Sequence, residues 1–319
     1  MTAQLREDGT LRHLLTLETL SRVQLEELLA RSQRFVRALG APPPLADTLR
    51  GVTVANLFTE PSTRTRVSFE LAAKRLGAQV VNLEVQLSSR VKGESMLDTI
   101  YTLQSLHVDA FVIRDAEAGV PALVAAHVAP HVSVLSAGEA HVSHPTQGLL
   151  DALTVHQRKG RFEGLAVTIV GDIRHSRVAR SAWQALRILG VSDLRLAAPP
   201  ALMPEEAEFP GCTRHTRFAP ALKGADVVMM LRIQKERMTD ADLLDGERYF
   251  AAWGLTRERL ALAAPAAIVM HPQPMNRGIE IASDVADGPQ SVIRDQVRNG
   301  VAVRMAVLEA VLTSRGGSA

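Results

Sequence analysis

The sequence has very little cysteine and few aromatic residues. Of its 319 residues only Cys212 is a cysteine, and Phe, Trp and Tyr together make up 4%. A single cysteine excludes an internal disulfide and a cysteine-rich metal site. The shortage of aromatic residues means that the core must be built from aliphatic side chains, which is feasible because 46% of the chain is hydrophobic.

The chain also lacks long apolar runs and a strong charge of either sign. No apolar stretch approaches the length needed to cross a bilayer, and the first residues carry charges where a signal peptide is apolar. The formal charge is +2, with acidic and basic residues mixed along the chain instead of gathered in a basic stripe. We therefore expect a cytoplasmic protein that binds neither nucleic acid nor membranes.

What the sequence does contain is a repeated alternation of short apolar runs with longer helical periods. Runs that predict buried strands lie at 52–58, 79–83, 109–113, 132–135, 165–171, 193–197, 226–231 and 267–270. Predicted helices lie between them at 62–76, 94–106, 117–127, 145–159 and 176–189. This order predicts an α/β fold of two similar-sized lobes, each a parallel sheet flanked by helices.

The length favours two domains, because 319 residues exceed what one ordinary core accommodates. The strand and helix pattern restarts after the helical stretch 145–159, so the lobes are expected at 1–150 and 151–290. A last helix, within about 291–319, is expected to pack back on the first lobe.

The most informative segment is Thr59–Glu70, which reads TEPSTRTRVSFE and joins a predicted strand to a predicted helix. A helix start exposes unpaired N–H groups and the positive end of the helix dipole. Three hydroxyl groups and two arginines lie within residues 62–66, which indicates an anion site suited to phosphate. The structural alternative is that Ser62 caps the helix and Arg66 pairs with Glu70.

This segment resembles the carbamoyl phosphate signature of the aspartate and ornithine carbamoyltransferases. Two further stretches match that family in the same order along the chain. Residues 144–147, HPTQ, are similar to its second signature, and residues 88–94, SSRVKGE, resemble a mobile loop that a neighbouring subunit supplies. The ordered set extends over nearly the whole chain and is much more specific than any single motif.

The resemblance implies a role for each matching residue in binding carbamoyl phosphate. The residues expected to bind it are Ser62, Thr63, Arg64, Thr65, Arg114, His144, Gln147, Gln273 and Pro274. Among them, Thr65, Arg114 and His144 are expected to be catalytic by polarising the carbonyl group. Ser88, Ser89 and Lys92 are expected to enter from an adjacent subunit, which implies a homotrimer with shared active sites.

Considered without the family, some of these residues have simpler interpretations. His144 precedes Pro145 near a predicted helix start, where a lone histidine is more often a cap or a surface residue. Lys92 beside Gly93 has the composition of a solvated loop. Arg114 is more suggestive, because parallel α/β sheets bind ligands at the carboxyl ends of their strands.

A second group of residues is expected to bind the acceptor. After the predicted strand 165–171 the chain has Gly171 but not the three glycines of a dinucleotide fold, so a nicotinamide cofactor is not expected. By the resemblance, Arg177, Arg232, Gln234 and Lys92 match positions that bind aspartate. Two arginine forks suit a dicarboxylate, because each can bind a carboxylate through two hydrogen bonds.

The late motif separates the two branches of the family. The ornithine branch typically has Cys-Leu-Pro after its histidine, whereas residues 271–274 here read HPQP. The resemblance therefore implies carbamoyl transfer from carbamoyl phosphate to aspartate, a step of pyrimidine biosynthesis, without a metal or cofactor. Two alternatives remain open: another amino-acid acceptor, and a non-catalytic binding subunit. In this family, regulatory chains or a dihydroorotase are further partners of such trimers.

Overall fold

The computed structural model describes residues 4–83, 95–233 and 246–313. The chain forms two compact units, one of Met1–Leu150 with Arg298–Ala319 and the other of Asp151–Val297. Each unit contains a parallel sheet flanked by helices, so the predicted α/β fold class is confirmed. Within the described ranges, no helix combines the length and the apolar character that crossing a membrane requires.

The first unit is built on a sheet with the strand order β2-β1-β3-β4. All of its strand pairs are parallel. The strands are β1 (Thr53–Phe58), β2 (Gln79–Leu83), β3 (Ala110–Asp115) and β4 (Ser133–Glu139). The helices that precede, separate and follow them are α1 (Arg22–Phe35), α2 (Thr63–Arg75), α3 (Met96–Ser105), α4 (Val120–His127) and α5 (Pro145–Lys159), with α11 (Ile293–Thr313) at the end of the chain.

Aliphatic side chains fill the core of the first unit, as the composition predicts. Strand β3 is buried along its whole length, and β1 is buried except at its first residue. Both strands therefore have apolar residues on both faces, which is typical of the central strands of a parallel sheet. Strand β2 is largely exposed because it lies at the edge of this sheet.

The N-terminal segment covers the outer edge of β4. The Leu14 backbone donates to the Val134 carbonyl and accepts from the Ser136 amide, at 2.9 and 2.8 Å. Beside it His13 is fully buried, and its Nδ1 accepts a hydrogen bond from the Val134 amide at 2.9 Å. A neutral imidazole is needed for this contact, because a protonated Nδ1 cannot accept.

The second unit is built on a sheet with the strand order β7-β6-β5-β8-β9, again parallel throughout. Its strands are β5 (Ala166–Val170), β6 (Asp193–Ala197), β7 (Cys212–His215), β8 (Val227–Met230) and β9 (Ile268–Met270). Its helices are α6 (Arg177–Ile188), α7 (Phe218–Leu222), α8 (Gly246–Trp253), α9 (Arg257–Leu260) and α10 (Ser283–Ala286).

Every strand predicted from the sequence is present in the structure, whereas one strand and several helices were not predicted. Strand β7 has only four residues at the sheet edge, none of them fully buried, so it lacks the apolar run of a central strand. The elements absent from the sequence prediction are α1, α7, α8, α9, α10 and β7.

The buried state of His13 predicts a pH dependence of stability. Burial, with smaller effects of the Arg12 and Arg6 charges, lowers the pKa of His13 from 6.5 to about 3. In the unfolded chain the His13 imidazole therefore binds a proton as the pH falls through about 6.5, whereas in the folded chain it stays neutral there. Stability is complete above that pH and falls as the pH drops towards 3, by about 1.4 kcal/mol between pH 7.5 and 5.5.

Urea unfolding at pH 7.5 and 5.5 measures this loss. We expect His13→Gln to be less stable at both pH values but to lack this part of the pH dependence. The exposed His127 on α4 supplies the control, since His127→Gln is expected to keep the parent's pH dependence. An unchanged pH dependence in His13→Gln contradicts the assignment.

Candidate active site

The candidate site in the first unit lies at the carboxyl ends of neighbouring parallel strands. The strand order reverses between β1 and β3, and such a switch point opens a crevice beyond the strand ends. Phe58 pairs with Arg114 in the register of these two strands. The Thr59 amide then donates to the Arg114 carbonyl at 3.0 Å, so the segment after β1 begins directly beside Arg114.

At the start of α2, no acidic side chain of the first turn balances the positive end of the helix dipole. Ser62 is the N-cap residue, yet its side chain makes no capping hydrogen bond, and the first turn contains no acidic residue. The interpretation of Ser62 as a simple cap is therefore wrong. Thr63 and Arg64 are exposed while Thr65 is buried. Backbone N–H groups, hydroxyls and a guanidinium thus lie together at one helix start, which is the chemistry of a phosphate site.

Glu70 lies further along α2, where its carboxylate contacts Lys74 on the same face of the helix. It accepts hydrogen bonds from Lys74 Nζ at 2.6 Å and from Asn82 Nδ2 at 3.0 Å. These contacts lower the pKa of the Glu70 carboxyl, and the charge of Arg66 adds a smaller effect. Glu70 therefore stabilises the exposed part of α2, one turn beyond the first turn that carries the candidate phosphate groups.

Arg114 is buried at the carboxyl end of β3. Its Nη1 donates to the Ala137 carbonyl at 3.3 Å, and its Nη2 forms an ion pair with Glu60 Oε1 at 2.9 Å. Glu60 was given no role from the sequence, although a carboxylate within an otherwise anion-binding segment is a recognisable signal. The ion pair holds the guanidinium between the segment after β1 and the end of β4.

The start of α5 adds a third group of buried polar side chains. His144 is only 4% exposed, and Thr146 and Gln147 are buried as well. The His144 carbonyl accepts from the amides of Gln147 and Gly148, at 2.9 and 3.2 Å, and Pro145 occupies the first helical position. His144 thus caps α5 through its backbone while its imidazole is buried, so the surface interpretation is wrong.

These groups bring several hydrogen-bond donors suited to an anion to one edge of the sheet in the first unit. The strands β1, β3 and β4 are consecutive in the sheet, and each leads into one of the predicted segments. Guanidinium, imidazole, hydroxyl and amide donors aimed at developing negative charge stabilise it without reorganising. Within the described residues, no cluster of histidine, cysteine, aspartate and glutamate has the form of a metal site.

The second unit repeats this arrangement at its own switch point, between β5 and β8. The loop after β5 leads to Arg177, which is buried at the first position of α6. Ser176 caps this helix by accepting from the Ala179 amide at 3.1 Å. In the same loop Asp172 is fully buried and contacts His175 Nδ1 at 2.8 Å.

Arg232 follows β8 and lies beside the loop after β5. The Leu231 amide donates to the Val170 carbonyl at 2.7 Å, which fixes the two strand ends side by side. Gly171 has φ +123°, and a Cβ atom there would lie 3.0 Å from the Leu231 carbonyl oxygen. Only glycine fits this close approach without strain. The structure thus places the segments of Arg177 and Arg232 on adjacent strand ends.

The segment after β9 is held by a buried histidine. His271 Nδ1 accepts from the Gln273 amide at 2.9 Å, and its Nε2 contacts Glu280 Oε1 at 3.2 Å. Gln273 has φ +56°, a strained value for a residue with a side chain, and its bond to Pro274 is cis. His271 and Glu280 had no predicted role, and both support the turn that carries the two predicted residues.

Four predicted residues fall outside the described ranges. They are Ser88, Ser89, Lys92 and Gln234.

Two family models match the chain over most of its length. The carbamoyl-P binding domain of aspartate/ornithine carbamoyltransferase matches residues 12–157. The Asp/Orn binding domain of the same family matches residues 163–311.

Solved structures of both branches of this family resemble the chain. Aspartate transcarbamoylase from Trypanosoma cruzi, in complex with carbamoyl aspartate and phosphate, has 33% identity and a TM-score of 0.83 over 94% of this chain and 96% of that one. Its complex with N-(phosphonacetyl)-L-aspartic acid has 32% identity and a TM-score of 0.84 over 94% of this chain and 96% of that one. Ornithine carbamoyltransferase from Pyrococcus furiosus has 29% identity and a TM-score of 0.83 over 95% of this chain and 97% of that one.

The exposed position of Arg64 predicts a loss of anion binding without a loss of stability. We expect Arg64→Ala to weaken the binding of inorganic phosphate at least about tenfold, the usual effect of removing a hydrogen bond to a charged group. Isothermal titration calorimetry measures the affinity, and thermal unfolding without phosphate measures the stability. The control is Arg50→Ala, an exposed arginine before the amino end of β1. Equal phosphate affinity in both variants removes Arg64 from the site.

Proposed function

The chain belongs to the aspartate/ornithine carbamoyltransferase family, and we propose that it transfers the carbamoyl group of carbamoyl phosphate to the amine of L-aspartate. The products are N-carbamoyl-L-aspartate and phosphate. We further propose that this reaction is the cytoplasmic step of pyrimidine biosynthesis that the sequence implies. Membership of the family makes the chain an enzyme, a carbamoyltransferase, and the acceptor is the part that is proposed.

Carbamoyl phosphate binding is assigned to the groups at the three strand ends of the first unit. Ser62, Thr63 and Arg64 bind the phosphate, together with backbone amides at the start of α2. Thr65, Arg114 and His144 donate to the carbonyl oxygen. The burial of these last three supports this role, because donors in a water-poor site stabilise developing charge more strongly than donors in water.

Two further assignments concern the carbamoyl nitrogen. Gln147, buried in the first turn of α5, orients the NH2 group through its side-chain oxygen. The carbonyl groups around Gln273 and Pro274 accept from the same NH2 group. The hydrogen bond from the Gln273 amide to His271 Nδ1 supports this assignment, because it fixes the backbone of the turn.

The reaction itself is a simple displacement with a good leaving group. The neutral amine nitrogen attacks the carbonyl carbon, a C–N bond forms, and the bond from that carbon to the phosphate oxygen breaks. Negative charge develops first on the carbonyl oxygen and then on the departing phosphate, which also accepts the amine proton. Positioning the two reactants supplies up to about 7–11 kcal/mol of the barrier reduction.

One observation carries the choice of aspartate: Arg177, at the start of the helix that follows β5, and Arg232, just after β8, come from segments that follow two adjacent parallel strands. An acceptor with two carboxylates is attracted to two guanidiniums and can bind each in a bidentate manner. Ornithine carries an ammonium group on its side chain, which two arginines repel. Gln234 and Lys92 complete the proposed aspartate site by their match to the family.

A homotrimer with shared active sites is the assembly that we propose. It is supported by the match of Ser88, Ser89 and Lys92 to the family's loop from a neighbouring subunit. In a cyclic trimer each site then takes its phosphate-binding residues from one subunit and its loop from the next.

The acceptor is tested by measuring phosphate release from carbamoyl phosphate with aspartate, ornithine or another amino acid present. We expect release that depends on aspartate and forms carbamoylaspartate. Arg232→Ala is expected to raise the KM for aspartate at least about tenfold, while the affinity for carbamoyl phosphate stays unchanged. Release with ornithine alone refutes the acceptor assignment. Absence of release with every acceptor, in protein that binds carbamoyl phosphate, favours the non-catalytic alternative.

The shared site is tested by mixing two inactive variants, Lys92→Ala and Arg64→Ala, after dissociating and reassembling them. In a cyclic trimer each hybrid contains one site with both residues intact, so about one third of the parent activity per hybrid is expected. Native mass spectrometry measures the hybrids. Hybrids without activity contradict a shared site.

A further inference from the structure

A buried arginine that contacts no carboxylate among the described residues packs against α2, the helix whose start carries the candidate phosphate site. Arg304, on α11, is only 4% exposed. Its guanidinium lies 5.0 Å from the ring centroid of Phe69, a residue of α2. Its Nη1 donates to the Gly300 carbonyl at 3.0 Å, and its Nε has no hydrogen-bond partner within the described residues. A carbonyl and an aromatic face are therefore its only observed partners there.

The sequence makes room for this guanidinium at a cost to α11. A Cβ atom at Gly300 would lie 2.7 Å from Arg304 Nη1, which is closer than real Cβ contacts. Glycine inside a helix is unfavourable, since it loses more conformational entropy on folding than any other residue. Gly300 thus leaves space for the guanidinium of Arg304, one turn later, at an entropic cost to the helix, and a larger residue would require the end of this flexible side chain to move.

No acidic side chain in the described part of the chain pairs with the charge on Arg304. Burial lowers the pKa of Arg304 to about 10, and repulsion by Arg114 contributes to the same effect. By contrast, Glu309 on the same helix forms ion pairs with Arg31 and Arg34, with N–O distances of 2.9 and 2.7 Å. A buried cation without a counter-ion destabilises a protein, so its retention requires another explanation.

We propose that Arg304 is a positioning residue of the phosphate site, whose uncompensated charge strengthens the binding of the phosphate dianion without touching it. The proposal rests on the phosphate site of the proposed function. Phe69 belongs to the helix whose first turn carries Ser62–Thr65, and Arg114 belongs to the same site. The bound dianion is then the counter-ion that Arg304 does not find among the described residues.

Two effects of opposite sign follow from this assignment. Replacing Arg304 by methionine removes the buried charge but keeps a long side chain, whose sulfur packs well against an aromatic ring. The free protein is therefore expected to become more stable, with an unfolding temperature higher by roughly 2–4 °C. Its affinity for phosphate is expected to fall roughly tenfold, because one elementary charge near the anion is lost. A purely structural arginine predicts lower stability and unchanged affinity.

The experiment compares Arg304→Met with Arg304→Lys and with a control on the same helix. Inorganic phosphate is the probe, its affinity is measured by calorimetry, and unfolding is measured in phosphate-free buffer. Arg304→Lys keeps the charge and is expected to bind phosphate within about threefold of the parent. Arg294→Met removes an arginine that is 92% exposed, and its phosphate affinity is expected to be unchanged because water screens that charge.

The proposal is overturned if Arg304→Met binds phosphate as the parent does. If Arg304→Met does not fold, Arg304→Lys decides: a folded lysine variant that loses affinity tenfold refutes the charge-based role, and near-parent affinity supports it. Arg64→Ala separates this proposal from the site assignment. Loss of phosphate binding in Arg64→Ala but not in Arg304→Met refutes the role of Arg304 alone, whereas unchanged binding in both refutes the phosphate site.

Discussion

The parallel pairing of β1 with β3 is the constraint on which the candidate phosphate site depends. Two helices and β2 separate these strands in the chain, yet their register places Phe58 opposite Arg114. Because parallel strands end at the same edge of a sheet, the segment that follows β1 lies beside the last residues of β3. The pairing of β5 with β8 acts in the same way in the second unit, where it places Gly171 against Leu231. Backbone pairing in each sheet thus fixes the positions of side chains far apart in sequence.

Charge balance explains the arrangement of groups around the first of these strand ends. The start of α2 carries the positive end of a helix dipole with Arg64 and Arg66 nearby, and no acidic residue in its first turn compensates for it. Glu60 partly neutralises Arg114 through their ion pair, while Arg304 contacts no carboxylate in the described part of the chain. In the proposed phosphate site, a bound dianion would lie among these positive groups, and the proposal therefore implies that stability and anion affinity oppose each other there.

Sequence patterns predicted the central strands because these leave local signals, and the site residues stay a prediction that also began from a local signal. Buried parallel strands appear as apolar runs, and the hydroxyl- and arginine-rich segment after β1 is unusual at a helix start. Helix α1 was missed although Ser21 and Gln24 form a capping box before it, so a usable signal was present. Strand β7 exists through its pairing with β6 and has no apolar run of its own. The burial of Arg304 depends on packing between α11 and α2, and only the mid-helix Gly300 hints at it.

Overall similarity does not separate the two branches of the family, because the aspartate and ornithine enzymes share one fold and one carbamoyl donor. Structures of both branches resemble the chain with a TM-score of 0.83. The difference between acceptors is one of charge: a second carboxylate in aspartate and an ammonium group in ornithine. A few side chains at the strand ends of the second unit are enough to discriminate between them, since like charges brought together cost several kcal/mol. Arg177, at the start of α6, and Arg232, just after β8, are the residues to which the proposed aspartate preference is assigned, so that preference is proposed to depend on their charge and not on a different backbone.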